Sequence, residues 1–169
     1  MRSITLTLTA LALMVVSCNT QKKEKQADKP YIPPMPATVP DQLPDMAITL
    51  LDGKQFSMRS FTGKNILIMF QPDCDHCQRE AKQFSEKIDA FAAYQLYFVS
   101  TATADELRKF SEEYELNNRP NVHFGNTTSN QIIENFGPID APSVYIYHDR
   151  KLIKNFNGET DLSKILQNI

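Results

Sequence analysis

A 169-residue chain with no tryptophan, no excess of basic residues, no long apolar run and only three cysteines is defined first by what those shortages exclude. A formal net charge of −2 and a pI near 5.9 leave no cationic footprint for a phosphate backbone, so nucleic acid is not an expected partner. The longest apolar stretch, from Ile4 to Val16, falls short of the roughly 20 residues that a membrane-spanning helix needs. Three cysteines cannot form two pairs, and a structural zinc site would need a second pair or two suitably spaced histidines. Without tryptophan, aromatic packing falls to phenylalanine and tyrosine. Phe84, Phe91, Tyr97, Phe98, Tyr145 and Tyr147 read as core or sheet packing, not as a cofactor box, and no cofactor is expected.

What is present begins with a targeting pattern. Arg2 supplies a positive charge, the Ile4 to Val16 stretch follows, and Val15-Val16-Ser17-Cys18 ends it with small residues before a cysteine. This is similar to a bacterial lipobox, in which residues 1–17 are a signal peptide and Cys18 becomes a lipid-carrying N-terminus; the alternative is an ordinary secretory signal with a chance cysteine. With Cys18 consumed, an exported domain keeps one cysteine pair and no odd thiol in an oxidising compartment. Residues 18–40 are polar, lysine-bearing and proline-rich, with Pro30, Pro33, Pro34, Pro36 and Pro40, and read as a tether extended at about 3 Å per residue. Asn19 stands where an aspartate is often linked to inner-membrane retention, a hint towards the outer membrane.

Residues 41–169 form one domain, large enough for a core. Two short apolar runs, Met46 to Leu50 and Gln55 to Met58, flank Asp52-Gly53 and predict a hairpin. Asn65 to Phe70 reads as a buried strand, and Ala81, Phe84, Ile88 and Phe91 predict the helix after it. Gln95 to Ser100 predicts a second interior strand, parallel to the first through a right-handed crossover. A helix from Ala104 to Tyr114 enters through a Thr103 to Glu106 capping signal. A short strand at Asn121 to Phe124 and a helix at Ser129 to Phe136, closed by Gly137-Pro138, come next. Ser143 to Tyr147 and Leu152 to Phe156 read as a terminal hairpin, and Asp161 to Gln167 as a last helix. The order describes an α/β domain with a central mixed β-sheet and helices on both faces.

The chemistry concentrates at Phe70-Gln71-Pro72-Asp73-Cys74-Asp75-His76-Cys77-Gln78-Arg79-Glu80. Its two cysteines fall at a strand-to-helix junction, where unpaired backbone N–H groups and the helix dipole favour thiolate over thiol at Cys74. Cys77, three residues on, is within disulfide reach. Asp73 and Asp75 oppose a neighbouring thiolate by like charge, whereas a protonated His76 favours it. Glu80 lies on the helical side of Cys77, either as a proton acceptor for that thiol or as a solvated surface glutamate. A static bridge across so short a loop would constrain little chain entropy, which favours a working redox pair over a structural one. His123 and His148 read as lone surface histidines at strand-edge or turn positions.

Phe61-Thr62-Gly63-Lys64-Asn65-Ile66-Leu67-Ile68-Met69-Phe70, the Cys74-Asp75-His76-Cys77-Gln78-Arg79-Glu80 segment and Ala141-Pro142-Ser143-Val144-Tyr145-Ile146 together resemble the TlpA/ResA group of membrane-tethered thioredoxin-fold proteins, related to AhpC/TSA proteins. The resemblance runs from about Leu43 to the C-terminus. It implies a thioredoxin fold with an added N-terminal hairpin, an exported location and thiol-disulfide exchange. It further implies that Cys74 is the nucleophile, Cys77 the resolving thiol, Pro142 a cis-proline facing the disulfide and Glu80 the acidic residue one turn on. Two positions depart from the pattern: Asp73 replaces the tryptophan that usually precedes the first cysteine, and Ile68 stands where cytosolic thioredoxins bury an aspartate.

The expected function is a lipid-anchored thiol-disulfide oxidoreductase of the bacterial cell envelope, on the periplasmic side, acting as a reductase. Its expected partners are proteins with disulfides in the envelope, an upstream membrane thiol donor, and the membrane itself through Cys18. Three alternatives stand beside it. A peroxidase would start from a Cys74 sulfenic acid, although Gln71 occupies the usual threonine position. Copper delivery would use Cys74 and Cys77 with His123 or His148. An inert scaffold would hold a disulfide with a potential below about −300 mV.

Overall fold

The computed structural model describes residues 40–169. The signal segment, Cys18 and all of the tether but Pro40 lie outside the described residues. Seven strands form one sheet in the order β2-β1-β5-β4-β3-β6-β7. The strands are β1 (Ala47–Leu50), β2 (Gln55–Ser57), β3 (Lys64–Met69), β4 (Gln95–Ser100), β5 (Val122–Asn126), β6 (Ser143–His148) and β7 (Lys151–Asn157). The helices are α1 (Asp75–Glu86), α2 (Ala104–Glu113), α3 (Ser129–Phe136) and α4 (Leu162–Leu166). Parallel pairing of β3 with β4 and of β4 with β5, and antiparallel pairing of β3 with β6, make the sheet mixed.

Alternation along the three central strands splits the interior into two cores, as a sheet with both faces covered requires. Ile66 and Ile68 of β3, Leu96 and Phe98 of β4, and Val144 and Ile146 of β6 point to one face, where Phe84 of α1, Phe110 of α2 and Ile165 of α4 meet them. Leu67, Met69, Val99, Tyr145 and Tyr147 point to the other, under Ile132 and Phe136 of α3. Ile68 is therefore an ordinary core residue on the α1 face. The six aromatics read as packing residues lie in or against these cores.

Local differences from the expected elements have physical causes. Helix α1 stops at Glu86, and Ile88–Phe91 is a separate 3₁₀ turn. Its i, i+3 repeat also puts Ile88 and Phe91 on one side, so the apolar spacing imitates a longer helix. The expected N-terminal hairpin is present and built into the sheet: β1 pairs with β5, a seating that local pattern does not predict. That junction depends on Gly125, where a Cβ would lie 2.6 Å from Ile48 Cγ2 and 3.0 Å from the Thr49 carbonyl oxygen. Finally, β5 begins one residue later than expected and runs on to Asn126 because β1 supplies the partner for its end. The expected caps are present: Thr103 and Glu106 form a capping box on α2, and Gly137, at φ 74°, ends α3.

Candidate functional site: a thiol pair at the start of a helix

Strand β3 delivers the chain to the C-terminal edge of the sheet, and a short turn over Gln71 to Cys74 reverses it into α1. Cys74 is the N-cap of that helix, in extended conformation, and its Sγ accepts from the Cys77 backbone N–H at 3.3 Å. A thiol here takes the place that a serine or aspartate oxygen usually fills, answering a helix-end donor with sulfur. The same Sγ lies 3.7 Å from the carbonyl oxygen of Ala141, to which its S–H donates. The Ala141–Pro142 peptide bond is cis, and the Ala141 carbonyl contact places the bend before β6 against Cys74.

The two thiols, both free, differ in environment. Cys74 is half-buried; Cys77 is only 2% exposed and accepts from the Gln71 N–H at 3.5 Å. Burial, followed by the contact with Cys74, pushes the Cys77 thiol up to about 12, so it rests protonated. Cys74 is thus the thiol open to solvent, with Cys77 shielded behind it.

Glu80 lies behind the pair and is not a solvated surface residue: it is 1% exposed. Its Oε1 accepts from the Thr160 N–H at 3.2 Å, and its Oε2 has no partner among the described residues. Desolvation pushes its carboxyl up to about 7, only partly offset by the Thr160 bond. On the exposed side of the same helix, Glu159 binds Arg79 through two parallel bonds of 2.7 and 2.6 Å and also meets His76 Nδ1. Those bonds hold the Glu159 carboxyl down at about 2. Asp75 opens the helix beside Cys74.

The remaining histidines are elsewhere. His148 bonds the Tyr94 hydroxyl at 2.6 Å and pairs with Lys64, the first residue of β3, about 17 Å of strand from the cysteine end. His123 bonds Gln95 and stacks on Tyr97, which packs on the face opposite α1. The copper set of Cys74 and Cys77 with either histidine is therefore not assembled, and no group of three or more His, Cys, Asp or Glu side chains among the described residues could hold a metal ion. The Gln71 side chain is bonded elsewhere, donating to Thr101 Oγ1 at 2.8 Å and accepting from Ser100 Oγ at 3.0 Å. Alongside the site, an apolar groove of about 350 Å³ starts at Ala141 and runs past Ile132, Ile133, Pro138 and Ile139.

Glu159, Thr160 and Ala141 were not legible as site residues. Glu159 is 83 positions from His76, and Thr160 is 80 from Glu80, with no local pattern linking either pair. The cis-proline position pointed to the neighbourhood of Ala141 but not to its carbonyl.

The AhpC/TSA family model matches residues 39–155. No curated protein matches the chain. Among solved structures, a secreted Mycobacterium tuberculosis disulfide oxidoreductase homologous to Escherichia coli DsbE superposes with a TM-score of 0.63 at 19% identity, over 73% of this chain and 93% of that one. A peroxiredoxin-like protein from Aquifex aeolicus gives 0.61 at 15%, over 76% and 84%. The copper-bound ScoI of Arabidopsis thaliana gives 0.57 at 14%, over 72% and 91%. At these identities the likeness shows a shared thioredoxin-like fold. No helix among the described residues is long and apolar enough to cross a membrane.

Proposed function

The chain belongs to the AhpC/TSA family, a thioredoxin-like family of thiol-redox proteins, and from that premise we propose that it is an envelope thiol-disulfide reductase of the TlpA/ResA type, anchored through lipidated Cys18. One observation supports this most: a half-buried Cys74 at a helix N-terminus, its sulfur against the Ala141 carbonyl, with a buried Cys77 directly behind it. In the first step the Cys74 thiolate attacks one sulfur of a partner disulfide. The partner's S–S bond breaks, its leaving thiolate takes a proton, and a Cys74–partner mixed disulfide forms. In the second step Cys77 attacks the Cys74 sulfur, the mixed disulfide breaks, and the partner leaves with both thiols reduced. The two electrons come from the Cys74–Cys77 pair, which an upstream membrane thiol donor then reduces again.

Cys77 must lose its proton in that second step. Glu80, buried behind the pair with its carboxyl held above the usual carboxylate range, is the general base that receives that proton as Cys77 attacks. Pro142, lacking an N–H, shapes the bend that an extended partner segment lies along, and the groove beyond Ala141 receives that partner's apolar side chains. Asp75 and His76 adjust the thiolate from the first turn of the helix.

A Cys77→Ser protein expressed in the native host is expected to retain partners as mixed disulfides on Cys74, and Cys74→Ser to reduce no insulin disulfides. Equal insulin reduction by wild type and Cys74→Ser would overturn the proposal. Fast, stoichiometric thiol loss on stopped-flow mixing with hydrogen peroxide would replace it with the peroxidase reading.

A further inference from the structure

The turn after β7 touches the redox helix on two sides. Thr160 donates its N–H to buried Glu80, and Glu159 grips Arg79 and His76 on the exposed side. Gly158, the residue before them, donates to the Asp140 carbonyl in the bend that precedes the cis-proline. This short segment is thus tied to both walls of the thiol site.

The charges on the exposed side need explaining. Arg79 Nη2 lies 2.6 Å from His76 Nδ1, which brings the guanidinium to the first turn of α1, two residues from Cys74. Glu159 Oε2 lies 2.6 Å from the same Arg79 nitrogen and 2.5 Å from the same histidine nitrogen, so one carboxylate oxygen bridges both. When Nδ1 carries the proton, the ring donates it to that oxygen. The fork that Arg79 presents is satisfied by Glu159 at both ends, which fixes the guanidinium on the carboxylate.

We propose that Glu159 is a positioning residue that sets the reduction potential of the Cys74–Cys77 pair, by holding the positive charge of Arg79 on itself and withholding it from the Cys74 sulfur. The inference rests on the redox reading above. Arg79 is close enough for the Cys74 thiolate to add to its basicity, after the larger contributions of Glu159 and Asp75. Glu159 stays ionised throughout the neutral range, so the bridge is present at working pH. The other charged groups at this end of α1, Asp73, Asp75 and Glu80, are acidic or buried and supply no replacement cation. A thiolate that gains an unneutralised guanidinium is stabilised, and stabilising the reduced form makes a couple more oxidising. Glu159 therefore keeps the couple on the reducing side.

The test is the equilibrium of the full-length protein with glutathione, in which the disulfide takes two electrons and two protons from two glutathione molecules and yields the dithiol and glutathione disulfide. Glu159→Gln is expected to favour the reduced protein about tenfold more than wild type does, equivalent to about 30 mV. Arg79→Met alone is expected to shift the couple the other way, and the double variant to return near wild type. The Glu159→Gln shift should shrink in 1 M salt, where the screening length is about 3 Å. A Glu159→Gln couple equal to wild type would overturn the inference, as would a shift indifferent to salt, which would indicate a loosened turn. If Glu159→Gln does not fold, the downward shift of Arg79→Met decides the matter by its presence or absence. A wild-type pair that never equilibrates with glutathione would sink the redox reading itself, whereas a cycling wild type with an unmoved variant sinks only this inference.

Discussion

Glu80 lies within helix α1 and Glu159 reaches it from the turn after β7; adjacent residues of that turn meet both sides of the helix, and the two carboxyls end in opposite states. Glu80 is 1% exposed with a single backbone donor, and its carboxyl rises to about 7. Glu159 remains partly open to solvent with a bidentate guanidinium and an imidazole, and its carboxyl falls to about 2. Identical groups on two sides of one helix are separated by what replaces water around them. One amide N–H does not offset desolvation, whereas a bidentate cation in an accessible setting does so easily. The buried side of the helix thereby becomes a place to put a proton, and the exposed side a place to hold charge.

The strongest way to break this comparison is at the buried thiol. Cys77→Ser should abolish multiple turnover and accumulate a Cys74-linked adduct, visible by mass spectrometry as a partner that dithiothreitol releases. Turnover at the wild-type rate would mean that the protected side does not perform the release step. Phe84→Ala comes next, because Phe84 is fully buried one turn beyond Glu80. Its truncation should cost about 3–5 kcal/mol in urea denaturation. A loss below 1 kcal/mol would show that this side of α1 is less tightly packed than its burial indicates.

Glu80→Gln sharpens the comparison through pH. The folded carboxyl titrates near 7 and the unfolded one near 4.5, so the native state holds a proton that the unfolded state has lost. Wild-type stability should therefore be complete below about 4.5 and decline as pH rises towards 7, by at most about 3 kcal/mol. Glu80→Gln should remove that slope and be the more stable protein at pH 8, while resolving mixed disulfides about 10²-fold more slowly. Parallel stability curves for the two proteins between pH 5 and 8 would refute a raised Glu80. The smallest effect belongs to Glu159→Gln, whose stability slope between pH 5 and 8 should match that of wild type. Its folded carboxyl lies below the unfolded one, so its contribution is present above about 4.5 and lost only as pH falls towards 2. Acid unfolding followed by circular dichroism should show a steeper wild-type limb there and nowhere else.

Most of the elements could be read from local pattern because local pattern produces them. Gln95–Ser100 and Ser129–Phe136 stand where periodicity and capping residues put them, and the Thr103 box opens α2 as its spacing predicts. The extent of α1 was misread because a 3₁₀ turn repeats the same apolar spacing. The seating of the N-terminal hairpin on β5 was not legible at all, since Gly125 marks a close approach between segments far apart in the chain. At the site, the cysteines and their helix-start position were evident from residue type and order. The burial of Glu80 does not follow from local pattern, because exposure depends on what covers a residue, and here the turn at Thr160 contributes to that cover.

By itself, then, the sequence determined a thiol pair at the mouth of a helix and a two-faced sheet to hold it, because spacing and hydrophobic alternation act over a few neighbouring residues. Only the tertiary structure decided which thiol is shielded, which glutamate keeps its proton and which one clamps the Arg79 guanidinium. Those properties come from desolvation and charge at distances of a few ångströms, between groups that the chain keeps some 80 residues apart.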